Sequence, residues 1–126
     1  MAKRKASRKT LVKKLDTLTS QIIRTRTPYC VQCGSPYKLT NGHVFSRRHH
    51  ATRFDIREDG NCQTQCWGCN YKHSFDNFDY YEWYKEEFGE NKFKKLREEY
   101  VTTRKFSNVE LEEMIIEYKE ILNELL

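Results

Sequence analysis

The 126-residue chain predicts one small, mostly helical domain whose centre is held by something other than an apolar core. Three observations predict it. Apolar residues recur at helical spacing on both flanks, whereas residues 29–70 lose that period and hold all five cysteines and four of the five glycines. Charge is also split, with 14 basic and 2 acidic side chains in residues 1–57 against 9 and 16 in residues 58–126. The total of +5 therefore conceals halves of +12 and −7. Length and a 37% hydrophobic content suit a single domain. A basic half suits a polyanionic partner, because Lys and Arg that neutralise phosphates release condensed counterions, although a solvated surface explains the charge equally well.

No apolar run approaches the ~20 residues needed to cross a bilayer, and no apolar stretch of a secretory signal follows the charged start, so no membrane partner is expected. The expected location is the cytosol. A reducing compartment and an odd cysteine count argue against a disulfide framework and for metal binding.

Residues 1–9, MAKRKASRK, read as a disordered basic arm. From Thr10, Leu11, Leu15, Leu18 and Ile22 recur at helical spacing until Thr27-Pro28, which predicts an amphipathic helix over 10–27. Residues 28–105 form the central unit. Within it, Phe75, Phe78, Tyr81, Trp83, Tyr84 and Phe88 form an aromatic helical stretch stopped by Gly89, and Phe93, Leu96 and Tyr100 suggest another short helix. In 106–126, Ser107-Asn108-Val109-Glu110 fits the S-x-x-E capping box, and Leu111, Met114, Ile115, Tyr118, Ile121, Leu122 and Leu125 line one face. That face can pair two copies as a homodimer or pack inside the monomer, and packing inside is favoured.

Cys30-Val31-Gln32-Cys33 and Cys66-Trp67-Gly68-Cys69 are two C-x2-C knuckles. Each turns two thiolates towards one point, and four complete the tetrahedral shell that Zn2+ prefers, predicting one closed structural site. A redox pair would need a strand–CxxC–helix context that neither knuckle clearly has. Cys62 is left over as a small buried side chain. Because a closed tetrathiolate offers no open position, the zinc is architectural and any chemistry must come from residues between and just beyond the knuckles.

Those residues are His43, Asn61 and Asn70, in the order C-x2-C, His, Asn, C-x2-C, Asn. The order and spacing resemble the zinc-knuckle form of the HNH, or His-Me finger, nucleases, in the H-N-N version carried by endonuclease VII-like resolvases. More narrowly, Gly42-His43-Val44-Phe45-Ser46-Arg47, Thr52-Arg53-Phe54-Asp55, Asn61 and Gln65-Cys66-Trp67-Gly68-Cys69-Asn70 resemble the NinG (Rap) family of phage recombination proteins, over about residues 29–100. The resemblance implies an α+β fold, mostly helical around a ββα-metal core. His43 would stand on the first strand, Asn61 near the second, and Asn70 at the opening of the helix, making 28–105 a nuclease core. It implies a DNA endonuclease in which His43 is the general base and Asn61 constrains the loop that orients it. One Mg2+ or Mn2+ would stabilise the leaving 3′-oxygen, and the products would carry 5′-phosphate and 3′-hydroxyl ends. The implied substrates are branched recombination intermediates, Holliday junctions and D-loops, in the host cytoplasm for a phage-encoded protein. Elementary chemistry agrees, since an imidazole with a pKa near 6.5 accepts a proton at neutral pH.

One departure stands out. Many members carry Asp or His as a metal ligand directly before the base, where this chain has Gly42. Asn70 is then the first candidate ligand by position and His73, one helical turn further on, the second. Asp55 could supply a carboxylate if its loop folds back, against the commoner role of Asp as a turn or cap residue. His49 and His50 read as loop or DNA-facing residues. Arg47, Arg48 and Arg53 are assigned to the DNA backbone, against an Arg–carboxylate pairing with the acidic half. Lys3, Arg4, Lys5, Arg8 and Lys9 would add salt-sensitive affinity. The alternative to an enzyme is a zinc-ordered DNA-binding module without catalysis, which leaves the His43–Asn61–Asn70 spacing unexplained.

Overall fold

A computed structural model describes residues 6–126. Lys3, Arg4 and Lys5 lie outside the described residues. Helix α1 spans Arg8–Arg26, with the Ser7 hydroxyl accepting from the Thr10 backbone N–H as N-cap. Arg8 and Lys9 are therefore helical rather than part of an arm, because Ser7 supplies a cap ahead of the apolar period. Arg8 also donates to the Phe106 carbonyl.

Strands β1 (Leu39–His43) and β2 (Cys62–Cys66) pair antiparallel, Leu39 opposite Cys66 and His43 opposite Cys62. The connection between them carries the one-turn helix α2 (His50–Arg53). Helix α3 (Trp67–His73) follows β2 without a break, and Cys66 serves as its N-cap through the thiol sulfur. Two antiparallel strands thus lead directly into a helix. The helix starts at Trp67, inside the second knuckle, where the sequence placed the return of helical period only after Cys69.

Helices α4 (Phe78–Phe88) and α5 (Glu90–Val101) meet at Gly89, whose φ of +99° favours a residue without Cβ. Phe75 falls outside α4, in the break after α3. Helix α6 (Asn108–Leu125) begins with the complete capping box, Ser107 and Glu110 exchanging side-chain and backbone hydrogen bonds.

Apolar burial divides into two clusters. In one, Leu11, Leu15, Leu18 and Ile22 of α1 meet Leu111, Ile115 and Tyr118 of α6 over Phe54. The face of α6 read from the sequence thus packs inside the monomer. In the other, Val44 and Phe45 meet Tyr80 and Tyr84 of α4 and Phe93 and Leu96 of α5. The hairpin lies between them, and its buried side chains are largely polar: Asn61, Gln63, Thr64 and Gln65. Among the described residues no helix is long and apolar enough to cross a membrane.

Leu111 is fully buried whereas Ile116 is 62% exposed. Leu111→Ala is expected to lower unfolding free energy by about 2–5 kcal/mol in a urea titration, and Ile116→Ala by less than about 0.5 kcal/mol. Equal costs would mean that α6 presents a different face to α1.

Candidate active site and metal centre

The metal centre is built by the two ends of the hairpin region. The first knuckle is a tight turn in which the Gly34 N–H donates to the Cys30 carbonyl at 2.8 Å, with Gly34 at φ +78°. The Val31 N–H donates to the Thr64 carbonyl of β2 at 3.0 Å and brings this turn onto the sheet. The second knuckle is the end of β2 and the first turn of α3, so strand and helix geometry together aim Cys66 and Cys69. This knuckle does have the strand–CxxC–helix context that the sequence did not show, and what sets it apart from a redox pair is that Cys30 and Cys33 share the same site. All four sulfurs of Cys30, Cys33, Cys66 and Cys69 lie within 4.8 Å of one another, and those of Cys33 and Cys66 are 3.6 Å apart. A tetrahedron with Zn–S bonds of about 2.3 Å has edges of about 3.8 Å, so this set can hold a zinc ion. Among the described residues it is the one group of three or more Cys, His, Asp or Glu side chains with that proximity. Cys62 is apart from it, buried with its S–H towards the Arg53 carbonyl at 3.3 Å. Burial pushes that thiol well above its ordinary pKa, which makes it an inert packing residue.

At the other end of β1, the His43 Nε2–H donates to the Arg53 carbonyl at 2.9 Å. A carbonyl only accepts, so the proton belongs on Nε2 and Nδ1 keeps a free lone pair. Burial lowers the His43 pKa below its usual value, opposed in part by the Arg53 carbonyl. The ring is consequently neutral at pH 7.

Asn61 fixes the loop that supplies this carbonyl. Its side chain is fully buried, accepts from the Phe45 N–H at 2.7 Å, and donates to the carbonyls of Phe45 at 2.8 Å and Thr52 at 3.2 Å. Asp55 completes the loop by taking the Asn61 N–H and the Arg57 guanidinium. Its carboxylate is spent there, which makes it a turn residue and not a metal ligand. A Cβ at Gly60 would fall 2.5 Å from that carboxylate.

His43, Asn70, His73 and Arg47 line one cleft of about 850 Å³ together with Asp16 of α1 and Asn41. The Asn70 amide nitrogen donates to the Thr40 hydroxyl at 3.0 Å, which leaves its oxygen as the atom with capacity to spare. The His73 Nε2–H is shared between the Val44 and His43 carbonyls at 2.9 and 3.0 Å. Its Nδ1 and the Asn41 Oδ1 are buried acceptors without a partner. The glycine before His43 also has a physical cause. A Cβ at Gly42 would come within 2.0 Å of the Gln65 Oε1, so the buried Gln65 side chain takes the space where a ligand side chain would stand.

Arg53 does not face outward as a DNA contact. Its guanidinium forms a two-pronged pair with Asp16, at 2.9 and 2.5 Å, on the N-terminal rather than the acidic half. Arg47 and Arg48 are exposed, and Arg47 alone of the three arginines borders the cleft. His49 packs at a tilt against Tyr100, and His50 lies against Phe54 and Phe106. Sequence reasoning missed Asp16 and Asn41. A signal for Asp16 existed, since residues 1–57 contain only two acidic side chains, Asp16 and Asp55, and each clamps an arginine of the loop.

A family model described as the bacteriophage lambda NinG protein matches residues 2–126. The chain belongs to the NinG family. No curated protein and no solved structure matches it. The NinG match runs beyond residues 29–100, where the sequence resemblance was traced, and takes in both α1, which carries Asp16, and α6.

The purified protein is expected to carry one zinc per chain by atomic emission. Cys66→Ala should lose the metal and the folded far-UV spectrum together, whereas Cys62→Ala should retain both. Retention of zinc by Cys66→Ala would break the four-thiolate assignment.

Proposed function

We propose that this NinG-family protein is a metal-dependent DNA endonuclease in which His43 is the general base. The observation that carries the reading is the His43–Arg53 carbonyl hydrogen bond. It fixes the tautomer that leaves Nδ1 basic, on a ring kept neutral by burial, at the edge of a cleft that also holds Asn70, His73 and Arg47. The strand–strand–helix order that brings these side chains together is the order that the resemblance to His-Me finger nucleases implies.

In this reading Nδ1 of His43 takes a proton from the water that attacks phosphorus, and Nε2 stays tied to Arg53. Asn61 acts through the loop as a positioning residue. Exposed Arg47 binds a phosphate oxygen beside the cleft, and exposed Arg48 binds the adjoining backbone. The ends produced are 5′-phosphate and 3′-hydroxyl, and branched recombination intermediates are the substrate class that the resemblance suggests.

The cleft also offers acceptors to a divalent ion: the His73 Nδ1 and the Asn41 Oδ1, both without a partner, and the oxygen of Asn70, whose amide nitrogen is the atom engaged. When bound there, such an ion supplies charge stabilisation at the leaving oxygen. The one carboxylate lining the cleft, Asp16, is committed to Arg53. Mg2+ is ordinarily held through one or two carboxylates, whereas an imidazole nitrogen is a ligand for first-row transition ions, so this donor set ranks Mn2+ above Mg2+.

Duplex, nicked, single-stranded and four-way-junction DNA incubated with Mn2+ or Mg2+ should be cut faster with Mn2+. His43→Ala should lower the rate about 10²–10⁴-fold. Because burial lowers the His43 pKa, the base is already deprotonated below pH 6.5, and the acid limb of the rate profile should fall below that value. An uncut panel, or a His43→Ala variant as fast as wild type, would sink the enzymatic reading and leave a zinc-ordered DNA-binding module.

A further inference from the structure

Helix α3 places Asn70 and His73 at the cleft, while its outer face carries a feature that the chemistry above does not use. Trp67 and Tyr71 are 58% and 59% exposed, and Phe75 just beyond the helix is 70% exposed. Their rings form a ladder. The Trp67 and Tyr71 planes are 8° apart with centroids at 5.1 Å, and Tyr71 meets Phe75 edge-on at 5.5 Å. No residue of α3 is buried, so packing against the domain does not account for three large aromatic side chains here. A seven-residue helix is marginal by itself. The ladder is anchored instead at its base, because Trp67 lies between the ligand pair Cys66 and Cys69.

The surroundings identify what would cover it. The two segments that form the knuckles, residues 24–38 and 61–75, contain four Lys+Arg and no Asp or Glu. Trp67 borders a shallow groove of about 360 Å³ shared with Lys38, Leu39 and Thr40. Lys72 is paired with Asp79, so Lys38 is the cation of these segments that borders the groove. Flat exposed rings beside a groove edged by a lysine suit a ligand with a π-face and an anionic backbone. An apolar protein partner would need the burial of a wider contiguous patch than one row of rings.

We infer that the Trp67–Tyr71–Phe75 ladder is a stacking platform for unpaired nucleobases, with the attached backbone running along the Lys38 groove. The inference rests on the nucleic-acid reading of the cleft and adds a substrate feature to it. On α3, Tyr71 lies about 100° round the helix from Asn70 and about 160° from His73, so the ladder and the cleft occupy different faces of one helix. DNA held at both would have to be single-stranded or partly unpaired next to the bond that is cut. Duplex bases, already stacked, would gain nothing from the rings.

The test measures binding apart from cleavage, in the zinc-loaded His43→Ala protein without added Mn2+ or Mg2+. Fluorescence anisotropy would compare single-stranded DNA, blunt duplex, and duplex with a single-stranded tail. Trp67→Ala and Tyr71→Ala should each weaken single-stranded and tailed DNA binding about 5- to 100-fold and leave blunt duplex unchanged. Tyr71→Phe, which keeps the ring, should bind as the parent does. In a Trp83→Phe background, single-stranded DNA should quench Trp67 emission. Zinc content would confirm that each variant is folded. An equal loss for all three DNAs would overturn the stacking role. So would unchanged DNA binding combined with loss of a dimer in sedimentation, which would make the ladder a contact between copies. Failure of cleavage in the separate nuclease assay would not alter these outcomes.

Discussion

The four-cysteine cluster is the constraint on which the rest of the molecule depends. Between the two apolar clusters, the hairpin buries Asn61, Gln63, Thr64 and Gln65. Such groups contribute little net stability even when hydrogen-bonded. Four thiolates at the Leu39–Cys66 end of the sheet can supply what the side chains do not, since structural zinc contributes on the order of 10 kcal/mol to folding. The same cluster fixes the start of α3 and therefore the direction in which Asn70 and His73 point. Without it a helix with no buried residue has little reason to form.

At the opposite end of the sheet, order is passed on through hydrogen bonds. Asn61 holds the Phe45 and Thr52 backbones, Asp16 holds the Arg53 guanidinium, and the Arg53 carbonyl holds His43. Each link is specific about direction, and the last determines which imidazole nitrogen is free. Asp16 brings α1, and through α1 the packing of α6, into the support of the site. A family match over residues 2–126 is consistent with flanking helices that belong to the working unit.

The elements most legible in the sequence were those with a local signal. The α1 and α6 periods, the Ser107–Glu110 capping box, the Gly89 stop and the two knuckles are patterns over a few residues, and each has its counterpart in the structure. What escaped were arrangements made by contacts distant in sequence. Strand β1, Leu-Thr-Asn-Gly-His, has no apolar alternation because its Thr40 and His43 side chains bond to the Gln65 and Arg53 carbonyls instead of entering an apolar cluster. Asp16 gains its meaning only from Arg53, 37 residues away. Arg53 was assigned outward because charge says nothing of where a guanidinium points. Gly42, which read only as a missing ligand, is explained by the Gln65 side chain beside it.

The central claim is that the hairpin, tied at one end by four cysteines that can hold zinc, presents His43 as a neutral ring with Nδ1 free. The most direct test is the 15N spectrum of the histidine rings in the zinc-loaded protein at pH 7, with His43 assigned by comparison with His43→Ala. The account predicts a protonated Nε2 and a pyridine-type Nδ1. A proton on Nδ1, or a charged ring at that pH, would contradict it.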